Sequence, residues 1–325
     1  MNPRAEAQAR AGDAYAARVL EPSPPTVTTG PWFADDPLAR DAATRPLLSP
    51  VSGGDVTWAS IAAGDPELEA WCRERWLGPF PPLDDVPAGY EATRRALHAV
   101  AEHVVARARE RANGKFGLRY VLGGFGTPFF GDDVQVAVRG ATLHVLRGPE
   151  TSSTPLTSLA DVVRTLADLG IEVPAGAAGT PIELEVPPAG LDDAPLEIDP
   201  AAARFVGDWF GFGCSALEEL RARVGCEHEP SRVQIWPEHF DAAVELGDDS
   251  SGARAAYGCS PGDDLHPEPY VYVAPWTAPA PGELWQATAF AGAELSYAEL
   301  LAAPDPRALA LDFLGARLAA RTGGS

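Results

Sequence analysis

The sequence predicts an α+β fold, a mixed and largely antiparallel sheet packed against several helices. Three observations predict it. The elements run helix, strands, helix, and then repeat that order. The strands in each group are joined by turn formers rather than crossover helices, which argues against a doubly wound parallel sheet. Of the 325 residues, 46% are hydrophobic, enough for a large core, while 32 glycines and 32 prolines demand turn-rich connections. The repeated order allows two similar halves, 90–199 and 200–325, or one main domain over 90–325 with a single large sheet. No sequence self-similarity accompanies it.

Residues 1–89 read as a turn-rich arm packed on the body. DPELEAWCRERWLG (65–78) is its one helical piece, and Trp32, Phe33, Trp58, Trp71, Trp76 and Phe80 favour docking over disorder. The body opens with an amphipathic helix over 89–114. Leu97, Val100, Ala101, Val104 and Ala108 recur at three and four, and Gly114 stops it. KFGLRYVL is a strand, GGFGTPFFGDD an irregular loop, and VQVAVRG with ATLHVLRG a hairpin turning at Gly140. A helix over 158–170 ends at Gly170, and a proline-rich passage follows over 172–199. The next helix, 203–225, is expected to break near Gly211 and Gly213. RVQIWP, AAVELG, ARAAYG and PYVYVAP are four strands, the last alternating Val271 and Val273 against Tyr270 and Tyr272. A helix from about Pro306 closes the chain.

Charge narrows the partners. A formal net charge of −21 repels polyanions, so no nucleic acid is expected. No run reaches membrane-spanning length, so no membrane partner is expected. The four cysteines are spread without a CxxC pair and read as reduced thiols. Residues 1–20 lack an apolar leader core, and the expectation is a soluble, cytoplasmic protein.

Two segments hold most of the unusual chemistry. In IWPEHFDAAVEL (235–246), Glu238, His239 and Asp241 follow a Trp-Pro break; in GCSPGDDLHPEPYVYVAPW (258–276), Asp263, Asp264, His266 and Glu268 precede a strand. His239 or His266 is the candidate base, with Glu238 and Asp241 as carboxylates to orient it. Trp236, Tyr257, Tyr270, Tyr272 and Trp276 would wall a small-molecule pocket, and Phe125 in the glycine-rich loop would floor it. Asp263, Asp264 and Glu268 would rim it, an acidic lining suited to a cationic or hydroxylated ligand. No metal is expected, since HExxH, HxH and EF-hand spacings are all missing. No cofactor is expected either, because GGFGTPFFG lacks both GxGxxG and a GK[ST] ending. Cys259 lies near Asp263 and Asp264, which disfavour a thiolate. His98 and His103, five apart on an α-helix, share no ligand face, and His144 falls on the polar side of its strand.

Over roughly 90–321 the chain resembles a bacterial family of soluble proteins with no assigned activity. The resemblance rests on Ala96-Leu97-His98, LADLGIEVPA, His239-Phe240-Asp241-Ala242, SPGDDLHPEPYVYVAPW and LSYAELLAAPDPRALALDFLGARL. It implies a common fold and no chemistry. The family carries longer, aromatic-rich insertions between the two motif segments and does not consistently place histidine at position 239. Asp241 and Pro267-Glu268-Pro269-Tyr270 fit its pattern better than His239 does. The functional expectation is a small-molecule-binding domain. The alternatives are a hydrolase or isomerase of a small polar substrate, metal-assisted or not, and an interaction protein acting through the N-terminal arm.

Overall fold

The computed structural model describes residues 83–323 apart from 122, 129, 131–133, 148–149, 177–192, 225 and 281. The helix at 65–78 and the six aromatics of the arm lie outside the described residues.

The predicted class is the observed one: two five-stranded antiparallel sheets, each flanked by helices, in roughly similar helix–strands–helix halves. The first half opens with α1 (Tyr90–Val100), entered through Gly89 at φ 75°. Tyr90, Thr93, Leu97 and Val100 share its buried face, the spacing that marked it in the sequence. A π-helical turn (Ala101–Val105) follows, then α2 (Ala106–Asn113), which ends at Gly114 in the left-handed region as expected. The first sheet is a meander of β1 (Arg119–Val121), β2 (Gly124–Gly126), β3 (Val134–Arg139), β4 (Thr142–Arg147) and β5 (Glu150–Pro155). α3 (Leu159–Asp168), capped by Ser158 accepting from the Asp161 N–H, completes the half.

The second half repeats the plan. α4 (Pro200–Arg223) leads to β6 (Gln234–Trp236), β7 (Asp241–Leu246), β8 (Ala255–Ser260), β9 (Tyr270–Pro275) and β10 (Ala293–Ser296). α5 (Tyr297–Ala302), held by a Ser296–Glu299 capping box, and α6 (Pro306–Thr322) close it. Leu118 and Ile235 exchange backbone hydrogen bonds of 2.7 and 2.8 Å, so the sheets meet edge to edge beside β1 and β6.

Three expectations change. α4 is continuous through Gly211 and Gly213. Its glycines serve close approach: a Cβ at Gly207 would lie 2.4 Å from the Gly123 carbonyl, and one at Gly213 would lie 2.6 Å from Cys259 Cβ. Burial of Trp209, Phe210 and Leu217 against the sheets overrides the glycine penalty, at roughly 1.5–3 kcal/mol per fully buried large side chain. The expected loop at 123–133 contains β2. A Cβ at Gly124 would sit 1.9 Å from Val138 O, so glycine permits the strand rather than ending it. β5, sequence ETSSTP, lacks an apolar alternation because it is an exposed edge strand.

Candidate functional site

β6 and β7 are joined by the turn Pro237–Phe240, and Trp236 pairs with Asp241 across it. Phe240 closes this turn at φ 53°, a conformation that costs a residue with a Cβ about 1–2 kcal/mol. Its ring supplies the compensation. It is 1% exposed, edge-on to Phe125 at 5.2 Å and Phe210 at 5.1 Å, and stacked on His98 at 5.3 Å. Anchoring Phe240 fixes the two residues beside it, His239 at the surface and Asp241 inside.

Strand alternation decides where Asp241 points. Cys259 lies against Gly213 of α4, and Ala242 is its partner in the register. Asp241, Ala243 and Glu245 therefore face away from α4, together with Gly258, Tyr270 and Tyr272. The Tyr272 ring lies across Gly258, where a Cβ would meet it at 2.3 Å, and its hydroxyl donates to Asp241 Oδ2. Asp241 Oδ1 meets no donor outside its own residue, although the side chain is nine-tenths buried. Burial raises the Asp241 pKa, and His239 and the Tyr272 hydroxyl offset only part of that rise.

The loop from β8 to β9 supplies the second carboxylate. Gly262, at φ 101°, lets Asp263 N–H reach His266 O at 2.7 Å. Asp263 Oδ1 accepts from the backbone N–H of Leu265 and of His266, and Oδ2 accepts from the Tyr270 hydroxyl at 2.8 Å. Burial opposes the Asp263 charge, but these donors outweigh it and hold its pKa below the usual carboxylate range. His266 bridges Asp263, 3.3 Å from Nδ1, and Glu294 of β10, 3.1 Å from Nε2. Both ring nitrogens face carboxylates, so neither is left for a substrate proton. α1 clamps the loop from below: Tyr90 donates to Pro261 O at 2.6 Å, and Arg94 to Gly262 O at 2.8 Å and Asp263 O at 3.2 Å.

The sequence candidates thus separate. Asp241, Asp263, His266, Tyr270 and Tyr272 form one hydrogen-bonded and ring-packed row with Glu294 and Phe290. Asp264 and Glu268 are exposed beside it, and Asp264 pairs with Arg95 at 3.3 Å. Trp236 is buried at the end of β6, and Glu238 is half-buried in the turn. Phe125 and Tyr257 belong to the core on the α4 side, away from the row. Trp276 lies farther along the outer face, where its indole donates to Glu245 and Arg254 stacks on it at 5.3 Å. Burial pushes Glu245 up to about 7 against the attraction of Arg254. Burial also pushes the Cys259 thiol up, which removes it as a nucleophile.

The histidines of the first helix share a neighbour. The π-turn carries an i to i+5 register, and Glu102 Oε2 lies 3.8 Å from His98 Nε2 and 3.7 Å from His103 Nε2. His98 and Glu102 are an i, i+4 pair on one helical face, and His103 follows Glu102 within the π-turn. Burial lowers the His98 pKa to about 4, a hydrogen bond to Pro237 opposing it. Burial raises that of Glu102. His144 sits half-buried with Nδ1 2.9 Å from Ser153 Oγ, on the polar side of β4.

Among the described residues no group of three His, Cys, Asp or Glu side chains is placed to hold a metal ion, and no helix is long and apolar enough to cross a membrane. No protein-family model matches the chain, and no curated protein or solved structure matches it.

Proposed function

We propose that this chain binds a small molecule on the face of the second sheet that is turned away from α4, with Asp241 as the polar anchor and Tyr270 and Tyr272 as the apolar wall. One observation carries the reading. Asp241 is 5% exposed, yet Oδ1 meets no donor outside its own residue. A buried carboxylate oxygen without a donor costs more than a kilocalorie, on the order of 1–3 kcal/mol, and a ligand N–H or O–H would recover it. Rigid support favours the same place. Arg94 and Tyr90 fix the neighbouring loop, and Phe240 fixes the turn.

An acid–base reading would fall to His239, the exposed imidazole beside Asp241, because His266 is engaged at both nitrogens. Binding is favoured because the row closes on its own hydrogen bonds, Tyr272 to Asp241, Tyr270 to Asp263 and His266 between Asp263 and Glu294.

A ligand-observed NMR screen of small amines and polyols against the wild type and Asp241→Asn tests the proposal. Hits on the wild type that weaken in the variant are expected. Hits that bind both proteins equally would place the ligand elsewhere and overturn it.

A further inference from the structure

Three acidic groups converge around the row: Asp241, Asp263 and Glu294. The guanidinium nearest the loop, Arg94, is committed to the carbonyls of Gly262 and Asp263. At the other end of the face, Arg254 is committed to the carbonyls of Glu229 and Gly247 and to the Trp276 ring. Both guanidiniums keep their charge but spend their donors on backbone, so the three carboxylates of the row outnumber the cation beside the loop, Arg94, within a chain of net charge −21. A polyol would supply a donor to Asp241 but leave this negative field uncompensated, whereas a cation answers both.

The rings sharpen the choice. Tyr270 and Tyr272 lie 6.0 Å apart, and Phe290, from the connection between β9 and β10, stands edge-on to Tyr272 at 6.3 Å. Ring faces attract a cation within about 6 Å of the centroid. A quaternary ammonium would use these rings but has no N–H for Asp241 Oδ1, the buried acceptor beside Tyr272 that lacks a donor. Phe290 is half-buried beside Tyr272, so its ring borders the same end of the face.

Resting on the binding site proposed above, we infer that the ligand presents a protonated primary or secondary amine, which donates N–H to Asp241 Oδ1 and lies against the Tyr270–Tyr272–Phe290 rings. Asp241 is then a specificity-determining residue that separates amines from alcohols and from quaternary ammonium compounds of the same body.

Titration calorimetry with three matched probes tests this on the unmodified full chain: phenethylamine, N,N,N-trimethylphenethylammonium and phenethyl alcohol. Phenethylamine should bind tighter than either of the others by about tenfold or more. Its affinity should fall with added salt and should drop by a similar factor in Asp241→Asn. Equal or tighter binding of the trimethylated probe or of the alcohol, with competition among the three, would overturn the amine assignment while leaving the binding site standing. Binding of none of the three would also overturn the amine assignment, and the screen of amines and polyols then decides the site separately. Because the comparison among probes uses the wild type, it holds even where Asp241→Asn misfolds. In that case Glu294→Gln, at a half-buried side chain, should selectively weaken the amine. No selective weakening there would count against the charge argument.

Discussion

Replacing Phe240 tests how the turn beside Asp241 is held. The residue sits at φ 53° with its ring buried among Phe125, Phe210 and His98. Phe240→Ala removes the ring, which should cost about 3–5 kcal/mol, and keeps a Cβ in the left-handed region. Phe240→Gly loses the same ring but relieves about 1–2 kcal/mol of backbone strain, part of which returns as the larger entropy of an unfolded glycine. The glycine variant should therefore be the more stable of the two by about 1 kcal/mol, an inversion of the usual order inside a buried element. Equilibrium urea unfolding of both variants, followed by tryptophan fluorescence, reads the difference directly. An alanine variant as stable as the glycine variant, or more so, would refute the claim that ring burial holds a strained turn.

Three further predictions concern the buried charges and the helix seam. His98 has a folded pKa near 4 against 6.5 when unfolded, so the unfolded chain binds more protons between those values and stability falls as pH drops through that window. At about 1.4 kcal/mol per unit the loss approaches 3 kcal/mol, and His98→Gln should flatten the pH dependence of the melting temperature between 6.5 and 4; an unchanged slope would remove His98 as its source. Glu245 behaves oppositely. Its pKa is raised from 4.5 to about 7, so its stabilising contribution is full below 4.5 and is lost as pH rises through 7. Glu245→Gln should stabilise the protein more at pH 8 than at pH 5, by roughly 2–3 kcal/mol in chemical unfolding, and equal effects at both would contradict this. Gly207→Ala should cost about 1–3 kcal/mol in thermal unfolding, because its Cβ would meet the Gly123 backbone at 2.4 Å.

Much of the architecture was legible from period and punctuation. Leu97 and Val100 marked α1, Gly114 and Gly170 marked helix ends, and the alternation of Tyr270 to Val273 marked β9 with the correct residues facing each way. Glycine misled twice, at Gly211–Gly213 and at Gly124–Gly126, because sequence cannot distinguish a glycine that breaks an element from one that lets two backbones touch. β5 was missed because an exposed edge strand needs no apolar face. At the site, Asp241, Asp263, His266 and the two tyrosines were readable as unusual residues crowded into two short segments. Their partners were not: Glu294 and Arg94 lie 28 and 169 residues from theirs. Of the His98–Glu102–His103 group, the His98–Glu102 pair follows from i, i+4 spacing, while the π-turn that carries His103 leaves no mark on hydrophobic spacing. Tyr257 as a wall residue and Phe125 as a floor were drawn in by type, whereas register places Tyr257 on the core side and Phe125 packs on Phe210 of α4.

The central claim is that the partnerless oxygen of Asp241 is a ligand acceptor. Carbon-detected NMR of side-chain carboxyls, with Asp241 assigned through Asp241→Asn, tests it most directly during a titration with phenethylamine. The Asp241 carboxyl signal should move with the binding isotherm, and its apparent pKa should fall as the ammonium settles beside it. A signal that stays fixed while the amine saturates the protein, with shifts confined to exposed groups such as Asp264 and Glu268, would contradict the account.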